Sequence, residues 1–328
     1  MYLKNKLLVV FAFVSLSVFS QEGIPVYSDY LSDNYYLIFP SMAGASNCAK
    51  IRLTSRKQWF DQKDAPQLQT LSINGRVGEK SGVGAVVFND GNGYHSQFGF
   101  KATYAYHLMF SRDEVDLNQL SFGINAGVNQ SQLDESKFVD FDPVLGGAVQ
   151  KASYFNMDIG ASYNVFDFSL NAVVKNVLET RQNIYTKLEN DNLRKFIVSG
   201  GYVFGNANTV LWEPSLLYQY VDRTKESALD INIKAYKNLS LGSLWAVLSY
   251  RTSFDGAQYK KGSRTNSQQL QYITPVIGFN YKNYMFAYTY TYSLGELQYD
   301  TSGLHQLTLG VNLFCKREKY DCNCPAIN

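Results

Sequence analysis

The chain has 328 residues, of which 45% are hydrophobic, 15% aromatic and only 18% charged, with 30 Lys and Arg against 28 Asp and Glu. A net charge of +2 carries no polyanion signal, so nucleic acid is not an expected partner. With 25 Tyr and 21 Phe in so weakly charged a chain, neither disorder nor a fibrous repeat fits.

At the N-terminus, Lys4 and Lys6 precede an uncharged apolar run from Leu7 to Phe19, and Val18 and Ser20 offer small side chains before Gln21. This three-part pattern predicts a secretory signal peptide over 1–20, with the mature chain starting outside the cytoplasm. Beyond Gln21 no window holds the eighteen uncharged apolar residues that a spanning helix needs, which excludes a helical membrane protein.

Residues 21–47 keep no period of two. Tyr27, Tyr30, Leu31, Tyr35 and Leu37 fit a short amphipathic helix that starts near Ser28 and is ended by Pro40. Such a segment is placed to plug a lumen or to sit beneath it.

From Cys48 to Phe314 the chain alternates with period two, the mark of an extended strand whose side chains point to opposite faces. Phe98, Phe100, Ala102, Tyr104, Tyr106 and Leu108 oppose His95, Gln97, Lys101, Thr103 and His107. Near the end, Tyr284, Phe286, Tyr288, Tyr290 and Tyr292 fall on one face, and Met285, Ala287, Thr289 and Thr291 on the other. Such runs predict about fourteen strands, starting near Cys48, Gln67, Gly82, Tyr94, Asn118, Tyr154, Phe166, Leu193, Val210, Ala228, Leu244, Leu270, Asn283 and His305.

An even number of antiparallel strands of about ten residues is the pattern of a transmembrane β-barrel. The expected fold is therefore all-β, an outer-membrane barrel over 48–314. Tight connections near Gly78 to Ser81, Val165, Gly205 to Thr209 and Lys282-Asn283 alternate with long polar stretches at 131–153, 179–192 and 252–269. The short set is read as periplasmic and the long set as extracellular. A sheet in hydrocarbon must close and turn its apolar side outward, so the aromatic face of Tyr284 to Tyr292 is expected to meet lipid. Tyr288, a phenol in mid-strand, needs a partner in that arrangement. Aromatics filling the lumen is the opposite assignment.

The wet faces supply lumen candidates: Lys50, Arg52, Arg56, Lys101, His107, Asp158, Asp167, Lys175, Glu213, Asp230 and Lys234. Both signs are present in near balance, which favours a paired, hydrated network over a charge-selective channel. The tail 315–328 is short, charged and read as periplasmic. It holds Cys315, Cys322 and Cys324; the fourth cysteine, Cys48, opens the first strand. Barrel closure brings Cys48 near Cys315, yet strand parity points one inward and the other outward. A direct bond runs against that parity, and a bond from Cys48 to a tail cysteine is the open alternative.

No enzyme is expected. His95 and His107 lie twelve residues apart on one strand and His305 stands elsewhere, so no nucleophile, base and orienter come within reach of one another. The spacing of Cys322 and Cys324 suits no zinc site. No phosphate loop, HExxH or GxSxG occurs, and no cofactor or metal is called for.

Several blocks, in order, resemble the PorP/SprF family of type IX secretion system outer-membrane proteins. YSDYLSDNYYLIFPSMAG, with Tyr30, Pro40 and Gly44, is similar to the family's N-terminal segment; Phe39-Pro40-Ser41 stands where Asn-Pro-Ala is usual. SRKQWFDQKDAP resembles its Arg-x-Gln-Trp block and following Ala-Pro, on Arg56, Gln58, Trp59, Ala65 and Pro66. FNDGNGYHSQFGFKATYAYHL resembles its Asn-Asp turn and Tyr-Ala-Tyr strand, on Asn89, Asp90, Gly93, Tyr104 and Tyr106. The resemblance implies a non-enzymatic barrel in the lipid of the outer membrane. Its implied partners are type IX translocon components and the C-terminal domains of exported cargo, and its implied work is export or surface attachment of adhesins, with gliding motility in some bacteria. A small-molecule channel or transporter is the alternative.

Overall fold

The computed structural model describes residues 25, 27–58, 65–111, 116–137, 149–178, 193–261, 264–295 and 303–315. The expected signal peptide, Trp59, Cys322, Cys324 and the stretches 138–148 and 179–192 lie outside the described residues.

Among the described residues, fourteen antiparallel strands make one sheet. They are β1 Ala49–Gln58, β2 Gln67–Val77, β3 Ser81–Asn92, β4 His95–Met109, β5 Asn118–Asp134, β6 Val149–Val165 and β7 Phe168–Lys175. The second half holds β8 Lys195–Tyr202, β9 Leu211–Val221, β10 Ser227–Leu239, β11 Gly242–Lys261, β12 Arg264–Tyr281, β13 Tyr284–Leu294 and β14 Leu304–Leu313. A two-residue extension, Phe204–Gly205, continues β8 and pairs with β9. Each strand pairs with its chain neighbours, and β1 closes on β14 through Ala49↔Leu313 to Gln58↔Leu304. Closure removes the free edges that lipid could not satisfy. Among the described residues no helix is long and apolar enough to cross a membrane.

The two faces separate as the alternation requires. Tyr284, Phe286 and Tyr288 are 53%, 51% and 44% exposed, and the same exterior carries Phe98, Phe100, Leu248 and Ile277. The interior face buries Thr54, Ser72, Ser121, Ser199 and Thr289. The aromatic face of β13 thus points outward, and aromatics filling the lumen is the assignment that fails. The mid-strand phenol has its partner: the Tyr288 hydroxyl lies 2.6 Å from His305 Nδ1 on β14.

Three expectations need correction. The stretch 252–269 is no loop, because β11 and β12 continue as a paired hairpin to Lys261↔Arg264, with an irregularity between Thr252 and Gly256. β5 and β6 likewise stay paired to Asp134↔Val149. Polar residues such as Ser131, Gln132, Gln150, Lys151, Asn266, Ser267, Gln268 and Gln269 interrupt the apolar series here, so the chain loses its period of two while its backbone pairing continues. Asp167, expected in the lumen, sits instead in the two-residue turn between β6 and β7, where Phe166 takes a left-handed backbone with φ 48°.

The expected N-terminal helix is broken into single turns: a 3-10 turn Ser28–Ser32, one turn at Tyr35–Ile38 and a 3-10 turn Pro40–Met42. Asp33 (φ −151°) and Asn34 (ψ 61°) leave helical space between the first two, and Pro40 starts the third.

Cys48 and Cys315 are bonded to one another. The parity objection lapses because both lie just outside the paired strands, and Phe314, with φ 51°, turns the chain before Cys315. The bond ties the β1–β14 seam at the tight-turn rim.

Candidate functional site: the plugged lumen

The N-terminal segment runs inside the barrel. The Ser28 hydroxyl lies 2.8 Å from that of Ser249 on β11, and the Gly44 amide donates to Asn74 on β2 at 3.2 Å. The segment therefore descends from the long-loop mouth to the tight-turn rim and passes directly into β1. It is held at many heights. Asn34 Nδ2 donates to Ser72 at 2.8 Å, and the hydroxyls of Tyr36 and Thr103 lie 2.7 Å apart. Tyr35 donates to Glu213 at 2.9 Å, and the hydroxyls of Ser41 and Ser162 approach to 2.6 Å. Polar groups buried this way must be paired, and each pairing fixes the segment to a different strand.

Close approach depends on missing side chains in the wall. A Cβ on Gly82 would stand 1.9 Å from the Ala43 carbonyl oxygen, and one on Gly123 would stand 2.3 Å from the Pro40 carbonyl carbon. Both obstacles are backbone and cannot rotate away. Gly82→Ala and Gly123→Ala are each expected to cost about 1–3 kcal/mol by overpacking. Gly200→Ala, whose Cβ meets nothing nearer than 3.7 Å, should be close to neutral. Urea unfolding in detergent micelles checks the contrast.

The middle of the segment packs against an apolar patch inside the barrel. Leu37, Ile38, Phe39 and Met42 share one cluster with Val173, Ile197 and Leu217, which face inward from β7, β8 and β9. The sequence reading treated the lumen as uniformly wet and missed this patch. Its signal was the loss of strict alternation at AVV, FIV and SLLY, where both faces turn apolar together.

Charge is partitioned between segment and wall. Residues 27–47 hold two acids, Asp29 and Asp33, and no Lys, Arg or His. Arg56 Nη2 donates to Asp29 at 2.8 Å, in a pair whose side chains are each 4% exposed, and Gln306 donates to the same carboxylate at 2.7 Å. Arg52 donates to both oxygens of Asp33. Tyr27 lies under the Arg56 guanidinium, 3.4 Å from its ring centre.

Backbone carbonyls of the segment take the other cations. Leu37 accepts from Lys175 at 3.2 Å, Gly44 from Arg76 at 2.8 Å, and Ser32 from Lys234. His107 Nε2 lies 3.0 Å from the Ala43 carbonyl oxygen, which only accepts, so that nitrogen carries the proton and Nδ1 accepts from Ser121 at 2.8 Å. Burial pushes the Tyr30 phenol, which has no hydrogen-bond partner, far above its ordinary range, with Arg56 working the other way.

Of the predicted lumen residues, Lys101 and Asp158 form a buried pair at 2.8 Å, and Asn125 also donates to Asp158. Glu213 also accepts from Tyr236. Asp230 pairs with Arg251 at 2.7 Å through Nη2. Arg251, Arg76 and Lys195 were missed, although the first follows Ser249 at inward parity and the second follows Asn74 in the same way. With these added and Asp167 removed, near balance gives way to an excess of base. Facing the lumen from described strands and not exposed are Lys50, Arg52, Arg56, Arg76 and Lys101, then Lys175, Lys195, Lys234 and Arg251, nine in all. Four acids face them: Asp90, Asp158, Glu213 and Asp230.

The family-matched residues do not converge on one place. Tyr30, Pro40 and Gly44 belong to the segment, and Arg56 grips it. Gln58 and Pro66 join the ends of β1 and β2 through a 3.0 Å backbone bond. Asn89, Tyr104 and Tyr106 point outward, Asp90 points inward, and Gly93 supplies a left-handed turn (φ 62°) between β3 and β4. Above the segment a cavity of about 330 Å³ remains at the long-loop mouth, lined by Tyr27, Asp29, Gln58, Arg251 and Tyr272 among others. Among the described residues no three His, Cys, Asp or Glu side chains come together as metal ligands.

A family model described as "Type IX secretion system membrane protein PorP/SprF" matches residues 19–311. No curated protein sequence matches the chain. Among solved structures, CdiB from Acinetobacter baumannii is similar over 80% of this chain at 7% identity and a TM-score of 0.39, and the chain spans 59% of that protein's length. Salmonella typhi OmpF in complex with daunomycin matches over 81% of this chain and 96% of its own, at 12% identity and a TM-score of 0.38. The CymD monoaromatic hydrocarbon channel matches over 89% and 94%, at 8% identity and a TM-score of 0.48.

Proposed function

The chain belongs to the PorP/SprF family of type IX secretion system membrane proteins, and from that membership we propose that it assists export or surface attachment of adhesins and other cargo carrying type IX C-terminal domains. It is an outer-membrane β-barrel of that system. We read the tight-turn rim as periplasmic, the long-loop rim as extracellular, residues 1–20 as a leader removed on export, and the C-terminal tail as periplasmic.

The observation that supports an assisting role over a conduit is the filled lumen, in which the N-terminal segment is bound from Ser28 to Gly44 by wall residues on many strands. A solute channel needs an open path, and a barrel occupied by its own segment instead offers rims, loops and an outer wall to protein partners. Two partner classes follow, components of the translocon and the C-terminal domains of cargo. Cells lacking the gene are expected to lose surface display of at least one type IX cargo, read by surface proteomics, and to regain it with the full-length chain. Intact display of all such cargo, together with loss of uptake of one nutrient, would overturn this reading in favour of a small-molecule transporter.

A further inference from the structure

The lumen wall carries nine basic side chains against four acidic ones among the described, unexposed positions. The segment inside it carries two acids and no base. Its two carboxylates are met by Arg52 and Arg56, and its backbone carbonyls by Lys175, Arg76 and Lys234. With the segment in place these cations are taken out of water and need partners, and with it gone they face a water-filled lumen where they draw in anions.

We propose that the lumen wall is a binding site for a linear acidic peptide, filled in the resting protein by the chain's own residues 27–47. Once that segment is released, the vacated barrel selects anions, and an acidic peptide of the same length supplied from outside fills the site again. The inference uses the charge and geometry of the lumen alone and does not depend on the secretion role.

Full-length protein carrying Asp29→Asn and Asp33→Asn, placed in a planar bilayer under a potassium chloride gradient, tests this. The unaltered protein is expected to stay closed. The double variant is expected to open in bursts whose reversal potential reports chloride over potassium by about tenfold or more, as a focused positive potential concentrates counter-ions. A synthetic peptide of residues 27–47 should close these openings, and the same peptide with asparagine at both aspartate positions should fail to. If the double variant stays closed, a chain lacking residues 25–46, refolded and checked for the heat-modifiable mobility of an intact barrel, decides the matter. Cation-selective or unselective openings, a folded barrel without the segment that remains closed, or equal block by both peptides would each overturn the proposal.

Discussion

Replacing Asp29 with alanine is expected to destabilise the folded protein by about 3–5 kcal/mol, the range seen when one partner of a buried ion pair is removed and the other stays behind uncompensated. Both side chains of the Asp29–Arg56 pair are 4% exposed, so water does not screen the loss. The carboxylate also accepts from Gln306, which would lose its acceptor too. Asp33→Ala should cost less, because that carboxylate is 18% exposed and water can take over part of its role. A double replacement, Asp29→Leu with Arg56→Met, should recover most of the loss, since a buried ion pair is often matched by apolar groups of similar volume. Urea titration of the refolded barrel in detergent micelles measures all three. A change below about 0.5 kcal/mol for Asp29→Ala, the scale of an ordinary surface substitution, would mean that the segment is not seated against β1.

Phe286→Arg, on the outer face of β13, is expected to cost about 2–4 kcal/mol if it lies near the bilayer midplane, where a guanidinium facing lipid loses its hydration. The neighbouring lumen position offers the contrast. Thr289 is buried on the inward face, and Thr289→Ser keeps its hydroxyl, so refolding into lipid vesicles should hardly change. Equal tolerance of both substitutions would contradict the outward orientation of the aromatic face. The same logic covers Phe100 and Ile277, which stand on the exterior of β4 and β12.

The strands were legible because period two is imposed by the two solvents on either side of the wall. Ten or more residues with lipid on one side and a polar lumen on the other write an alternation that no turn or helix imitates. Fourteen starting points could therefore be placed, and most fall within a few residues of those in the structure. Legibility fails where the two solvents become one. Beyond Thr252 the run from Asn266 to Gln269 is polar at every position, the alternation disappears, and a paired ribbon reads as a loop.

It fails in the opposite sense at Val173, Ile197 and Leu217. There the lumen face is itself apolar because it receives Leu37, Ile38 and Phe39. The Cys48–Cys315 pairing was hidden because parity holds only inside paired strands, and the left-handed Phe314 ends it one residue early. The segment's course was hidden for another reason. Its contacts join residues as far apart as Ser28 and Ser249, and nothing in local periodicity encodes a partner more than two hundred positions away.

The seating of the N-terminal segment inside the barrel is tested most directly by a designed crosslink. The hydroxyls of Ser41 and Ser162 lie 2.6 Å apart, on the segment and on the lumen face of β6. A Ser41→Cys, Ser162→Cys variant isolated from outer membranes and digested without reduction should yield, by mass spectrometry, a disulfide-linked pair of peptides holding both positions in most of the molecules. If both thiols are instead recovered free and are labelled by a water-soluble maleimide in intact membranes, the lumen is not filled by this segment and the account fails.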